Sequence, residues 1–144
     1  MAQTVDDVLA EAELYSDGYS YRFVKLPSNA ITVAAGIVAE AGNPFMALLV
    51  DKDEVTLMID DEDYQEFKNR LRDHEVSETS YRLITFDIVL EPTLVGLMAR
   101  ITQILAEANI SVMPFAAYSR DHIFVGEADF DRAMEVLQQL KPTK

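Results

Sequence analysis

The sequence predicts an α+β protein made of two similar halves, each with an antiparallel sheet. Three observations lead to this prediction. The order strand, helix, strand, strand, helix occurs twice along the 144 residues. One constant offset aligns Leu57 with Ile123 and Tyr64 with Phe130, so the apolar positions of the two halves keep the same phase. With 49% hydrophobic residues, the chain has enough apolar side chains for a packed core.

The first half, residues 1–78, opens with a helix and a strand. Thr4 is a suitable N-cap for a helix over residues 4–14, whose apolar side chains fall on one stripe. Residues 19–26 alternate between two sets of side chains, which is typical of a half-buried strand. The predicted helix over residues 28–41 is followed by Gly-Asn-Pro, a combination that ends helices.

A hairpin and a second helix complete the first half. Residues 45–50 and 55–59 are rich in β-forming residues and flank a polar turn, which predicts two paired strands. The helix over residues 60–72 begins with the carboxylates of residues 60–63. Negative charge is favourable there because the helix dipole is positive at its N-terminus.

The second half, residues 79–144, repeats this order. Its predicted elements are a strand over 81–90, a strongly amphipathic helix over 94–108, strands over 111–118 and 122–125, and a helix over 129–140. The order matches the split βαβ, ferredoxin-like arrangement. Without a closing strand, this half would keep an exposed sheet edge. We therefore expect the halves to share or swap a strand, with residues 19–26 as the donor, or to pair edge to edge.

The charge of the chain excludes several partners. The formal net charge is −13, whereas nucleic acids and anionic membrane surfaces attract clusters of Lys and Arg. The chain has no Cys and no apolar run long enough to span a bilayer. Its N-terminus is acidic, unlike a secretory signal. We expect a cytoplasmic protein with no nucleic-acid and no membrane partner.

Two segments resemble catalytic or metal-binding motifs only superficially. Residues 51–62 have the length of a calcium loop but lack the oxygen ligand and the Gly needed in its middle. Ser119, Asp121 and His122 are the residue types of a hydrolase triad, but near-neighbours on a turn and strand do not form its hydrogen-bond chain. We therefore expect no catalytic residue, no metal site and no cofactor.

The segment from Glu91 to Leu97, between a strand and the best helix, is the most informative. Gly96 falls in the first turn of the predicted helix, where Gly costs up to ~1 kcal/mol relative to Ala. The free N–H groups at a helix start can hold a carboxylate. Close packing of the helix on the sheet would explain the Gly equally well, so both interpretations stay open at this point.

Residues 83–140 resemble an ACT domain, a small amino-acid-sensing regulatory module. The resemblance is carried by residues 86–101 with Gly96, by the Ala-Glu-Ala-Asn-Ile-Ser-Val segment of residues 106–112, and by the hairpin of residues 118–125. The Asp-His-Ile-Phe-Val run is similar to that of tandem ACT proteins of the aspartate-kinase-like family, which are related to cytosolic arginine sensors. The first half resembles their degenerate first ACT domain.

The resemblance implies a non-catalytic, amino-acid-binding regulatory protein. Two sheets with open edges, and a second half without its own closing strand, also favour a homodimer. The alternative is a structural or protein-interaction ACT module that has lost its ligand. Many ACT domains have Asp and a Pro-Gly pair before the first helix, whereas this chain has Glu-Pro-Thr. His122 could contact the ligand or serve the strand, and Asp121 could bind a cationic side chain or only shape the turn. The implied ligand-binding residues are Glu91, Thr93, Leu94, Val95, Gly96, Leu97, Asn109, Ile110, Asp121 and His122.

Overall fold

The computed structural model describes residues 2–43 and 45–141. Its helices are α1 (Val5–Glu11), α2 (Ile31–Ala41), α3 (Asp61–Phe67), α4 (Leu97–Glu107) and α5 (Phe130–Gln138). Its strands are β1 (Glu13–Tyr15), β2 (Tyr21–Pro27), β3 (Ala47–Val50), β4 (Glu54–Asp60), β5 (Glu75–Val76), β6 (Tyr81–Asp87), β7 (Val112–Ala116) and β8 (Asp121–Gly126). Two 3-10 turns, Lys68–Arg70 and Glu127–Asp129, follow α3 and precede α5. The predicted α+β class with antiparallel sheets is confirmed.

The chain forms two compact units with separate hydrophobic cores. The first unit is residues 19–81, and the second comprises the described residues of 1–18 and 82–144. In the first unit β3, β4, β2 and β5 lie side by side and are antiparallel. The order β-α-β-β-α-β is complete there, because β5 closes the edge beside β2. The core includes Val24, Ile37 and Leu57.

A buried pair of carboxylates begins α3 in the first unit. Asp60 is the N-cap, and its carboxylate accepts from the backbone N–H of Asp63 at 2.9 Å. The side-chain amide of Asn43 donates to both carboxylates, and this bond ties the segment after α2 to α3. Burial, followed by the charge of Asp60, raises the pKa of Asp63 to about 6. The Pro that follows Asn43 in the predicted helix stop lies outside the described residues.

In the second unit the strands lie in the order β7, β8, β6 and β1. The strand beside β6 is β1, in which Leu14 is opposite Phe86. β1 therefore closes the edge of this sheet beside residues 85–87 of β6, and the sequence had not predicted this strand. β1 is only three residues long, too short for alternation to reveal it.

The N-terminal segment belongs to the second unit and not to the first, where the prediction of a 1–78 domain placed it. Val8, Leu9 and Ala12 are buried in the same core as Ile101 and Ile123. The physical reason is the apolar stripe of α1, which a seven-residue helix must bury to be stable. In the residues that the structure describes, no helix is both long and apolar enough to cross a membrane.

Candidate functional site

A cleft of about 500 Å³ lies in the second unit, between the start of α4 with its preceding loop and the turn that joins β7 to β8. The backbone N–H of Leu90 donates to the carbonyl oxygen of Ser119 at 2.7 Å, which joins its two walls. The cleft brings together several of the residues predicted to bind a ligand: Glu91, Leu94, Val95, Gly96, Leu97 and Asp121.

Gly96 is the N-cap of α4 and not a residue inside its first turn, so the helix starts later than predicted. Its φ of 96° lies in the left-handed region, which favours Gly. A Cβ there would meet Val5 Cγ2 at 3.9 Å, an ordinary contact, so the dihedral angle and not crowding accounts for the residue. Before it, the N–H of Leu94 donates to the carbonyl of Glu91 in a turn at 3.0 Å.

The N-terminus of α4 offers backbone donors to the cleft. The first bond inside the helix runs from the N–H of Arg100 to the carbonyl of Gly96. The N–H groups of Leu97, Met98 and Ala99 precede it, and a helix provides no internal acceptor for such groups. No side chain caps this end, because the N-cap residue is Gly. The geometry suits an anionic group, which would also be favoured by the helix dipole.

Asp121 is the acidic lining residue whose carboxylate is not held by another described residue. The other acid, Glu91, accepts from the backbone N–H of Gln3 at 2.9 Å. The lining cation Arg120 is paired with Asp87 at 2.9 Å. Burial raises the pKa of Asp121, and the neighbouring His122 partly opposes that rise. A desolvated carboxylate in this position can accept from a cationic or donor group of a ligand.

His122 does not line the cleft. Its Nδ1 is 2.7 Å from the hydroxyl oxygen of the buried Thr85 on β6. Burial lowers the pKa of His122, which favours the neutral ring at neutral pH. This contact favours a structural role for His122, in which it links two strands of the sheet.

Three further predicted site residues lie away from the cleft. Asn109 has a φ of 60° and ends α4, and the N–H of Ile110 donates to the carbonyl of Leu105 at 2.9 Å. Ile110 is buried in the core. These two residues therefore form the turn that follows the C-cap of α4, and the next strand, β7, begins only at Val112. Thr93 is exposed in the loop and does not line the cleft.

The segment that contains the cleft matches a known protein family. Residues 76–139 match the family profile described as an ACT domain. This segment is an ACT domain. All the residues that line the cleft lie between Leu90 and Asp121, and so within the ACT domain.

Solved structures share the fold of the ACT domain and of the residues that precede it. A Vibrio cholerae protein of unknown function is 26% identical, with a TM-score of 0.73, and the match covers 93% of this chain and 93% of that one. An Agrobacterium tumefaciens protein is 17% identical, with a TM-score of 0.69 over 90% and 88% of the two chains. The ligand-free regulatory subunit of aspartate kinase from Thermus thermophilus is 11% identical, with a TM-score of 0.65 over 89% and 97%. Among curated proteins, none matches the sequence significantly.

Sequence reasoning missed part of the cleft of the ACT domain. One wall of the cleft is formed by the turn residues Ala117, Tyr118, Ser119 and Arg120 and by Asp121. Of these five residues, only Asp121 was predicted to bind the ligand. Tyr118 is 98% exposed and Val95 is 85% exposed, so two apolar side chains stand on the rim. The sequence pattern placed Tyr118 at the end of a strand, so the sequence contained no signal that this residue belongs to the turn at the cleft.

Proposed function

We propose that the cleft of the ACT domain binds a free amino acid and that this binding is regulatory. The observation that carries the proposal is the uncapped N-terminus of α4 at the cleft, where the amides of Leu97, Met98 and Ala99 can receive an α-carboxylate. The volume of about 500 Å³ is within the usual range of ligand sites, roughly 300–1,000 Å³. ACT domains are regulatory modules, and one structural neighbour is named as a regulatory subunit.

A basic amino acid is the ligand class that the side chains support best. Asp121 lines the wall opposite α4 and is not neutralised by a described cation, since Arg120 is paired with Asp87. A ligand with a carboxylate at one end and a cation at the other would match both walls of the cleft. L-Arginine and L-lysine are therefore the first probes to test.

The first unit is proposed to be a second ACT domain that has no ligand. Its elements from β2 to α3 follow the same order as those from β6 to α5 of the second unit, and the strands take corresponding places in the sheet. However, only residues 28–30 connect β2 to α2, whereas residues 88–96 connect β6 to α4. The shorter connection provides no loop to form a comparable wall. We therefore infer one ligand per chain.

The assembly is proposed to be a homodimer, because open sheet edges favour pairing with a second copy of the chain. In each unit one outer strand, β3 or β7, has no partner strand in the described chain on one side. Such edges pair readily with another chain. Light scattering tests this proposal, because a mass near that of one 16.2 kDa chain at micromolar concentration would contradict it.

An interaction module without a ligand is the second candidate. The exposed side chains of Val95 and Tyr118 on the rim favour it, because exposed apolar residues often mark protein contacts. A melting experiment against a panel of free amino acids separates the two. A binder is stabilised by RT ln(1 + [L]/Kd), ~2.7 kcal/mol at a hundredfold excess over Kd, whereas an interaction module shows no selective rise in Tm.

A further inference from the structure

We propose that Gln3 is a positioning residue for the cleft, holding the loop of residues 88–96 in the shape that forms one wall. Gln3 does not line the cleft, so it would act through the loop and not on a ligand. The loop contains no helix or strand and must be held by individual hydrogen bonds. The link to binding rests on the proposed function, whereas the effect on the loop does not.

Three hydrogen bonds join Gln3 to the loop. The N–H of Glu91 donates to the side-chain Oε1 of Gln3 at 2.8 Å, and the side-chain Nε2 donates to the carbonyl of Val89 at 3.0 Å. The backbone N–H of Gln3 donates to the carboxylate of Glu91 at 2.9 Å. The carboxamide therefore satisfies one backbone donor and one backbone acceptor, as a neighbouring strand would.

The loop is held from both sides in alternation. Val89 and Glu91 bond to Gln3, while Leu90, between them, bonds to Ser119 on the opposite wall. Removing the Gln3 side chain would leave Leu90 as the remaining backbone tie of this tripeptide to the body of the unit. The end of the loop at Gly96 should then sample more conformations, and the α4 amides would be less well presented.

Gln3 is itself held firmly by the residues that follow it. Thr4 is the N-cap of α1, and Thr4 and Asp7 form a reciprocal capping box. Val8 and Leu9 of this helix are buried in the core that also contains α4. Capping and packing of α1 thus fix the position of Gln3. Its side chain can therefore restrict the conformations of the loop to which it is hydrogen-bonded.

Amide hydrogen exchange on the full chain tests the proposal without any ligand. Gln3→Ala is compared with Gln138→Ala, an exposed Gln on α5. Losing two exposed hydrogen bonds predicts roughly tenfold faster exchange at residues 89–96. Exchange in α1 and α4 should change much less than exchange in the loop, and Tm should fall by no more than a few degrees. Unchanged loop exchange in Gln3→Ala, or faster exchange throughout α1, would overturn the positioning role.

Titration with L-arginine then tests the link to binding. Gln3→Ala should weaken L-arginine roughly tenfold, while Gln138→Ala should bind as the wild type does. Gln3→Glu keeps an acceptor for the N–H of Glu91 but places a carboxylate beside another, so it should be at least as weak as Gln3→Ala. Equal affinity in wild type and Gln3→Ala would overturn the link. If the wild type does not bind L-arginine while the loop responds to Gln3→Ala, the proposed ligand fails and the positioning role stands.

Discussion

The backbone N–H of Leu90 and the carbonyl oxygen of Ser119 are 2.7 Å apart and form a hydrogen bond. This bond connects the loop before α4 to the turn between β7 and β8, which are the two walls of the cleft. The bond is between two backbone groups, so it does not involve the side chain of either residue. The cleft therefore has a fixed frame in which the helix amides and Asp121 belong to opposite walls.

Substitution of two glycines should have opposite effects on stability. Gly96→Ala should lower the free energy of unfolding by about 1–2 kcal/mol, because φ at Gly96 is 96° and Ala is strained there. Gly36→Ala should raise it by up to ~1 kcal/mol, because Gly36 lies within α2 and its new Cβ would meet Arg70 at an ordinary 3.8 Å. Denaturant titration measures both, and a Gly96→Ala protein as stable as the wild type would contradict the assignment. The sequence pattern placed Gly96 inside the first turn of the helix, where Gly costs stability relative to Ala, and that placement is wrong because Gly96 is the N-cap and has a positive φ.

Asp121→Asn should weaken L-arginine or L-lysine roughly ten- to a hundredfold, since a charge-assisted hydrogen bond contributes ~1.5–3 kcal/mol. A neutral aliphatic amino acid should be affected little. The matched control is Glu91→Gln, which retains an oxygen for the N–H of Gln3 and should change affinity less than about threefold. Calorimetric titration measures these affinities. Equal affinity of wild type and Asp121→Asn for a basic amino acid would show that Asp121 does not contact the ligand.

Binding of a basic amino acid should also depend on pH through Asp121. Its pKa is raised by burial, so protonation begins at a higher pH than for an exposed Asp. Affinity should be greatest when the carboxylate is ionised and should fall as the pH is lowered through the raised pKa. The Asp121→Asn protein should lack this part of the pH dependence, and identical profiles for the two proteins would argue against a direct contact.

The stability of the first unit should respond to pH through Asp63. Its pKa is raised to about 6, so the protonated form favours the folded state. That contribution is fully present below the ordinary pKa near 4 and is lost as the pH rises through about 6. At pH 7 the neutral Asp63→Asn protein should be more stable than the wild type by about 1–3 kcal/mol, with the difference shrinking towards pH 4. Unfolding at several pH values measures this, with the exposed Asp131→Asn as control, and a constant difference would contradict it.

The elements that the sequence predicted well have long, regular patterns. The apolar stripe of α4 and the β-rich runs of β4 and β8 were sufficient to predict these elements, because the period of the apolar residues indicates which face is buried. The start of α4 was predicted early at Leu94, since propensity does not reveal that Gly96 adopts a positive φ. β1 was missed because three residues contain no usable period.

Only part of the candidate site was predicted, because only some of its residues have a local signal in the sequence. Residues near Gly96 were found because Gly at a helix start is an unusual local signal. Gln3 and Ser119 were not, because the Gln3 side chain and the Ser119 carbonyl bond to backbone groups far away in the sequence, and residue type does not encode such long-range contacts. Asn109 and Ile110 were assigned to the site as a strand start, although Asn at a φ of 60° is a common helix end.

The most direct test of amino-acid binding in the cleft is a two-dimensional amide NMR titration of the wild-type chain with L-arginine and L-lysine. We expect the largest shifts at the amides of residues 94–99 and at residues 117–121, with little change at residues 28–31 and at Asn109. Saturation should correspond to one ligand per chain. An absence of shifts with either amino acid, or shifts centred on residues 28–31, would contradict the proposal that the N-terminus of α4 receives the ligand carboxylate.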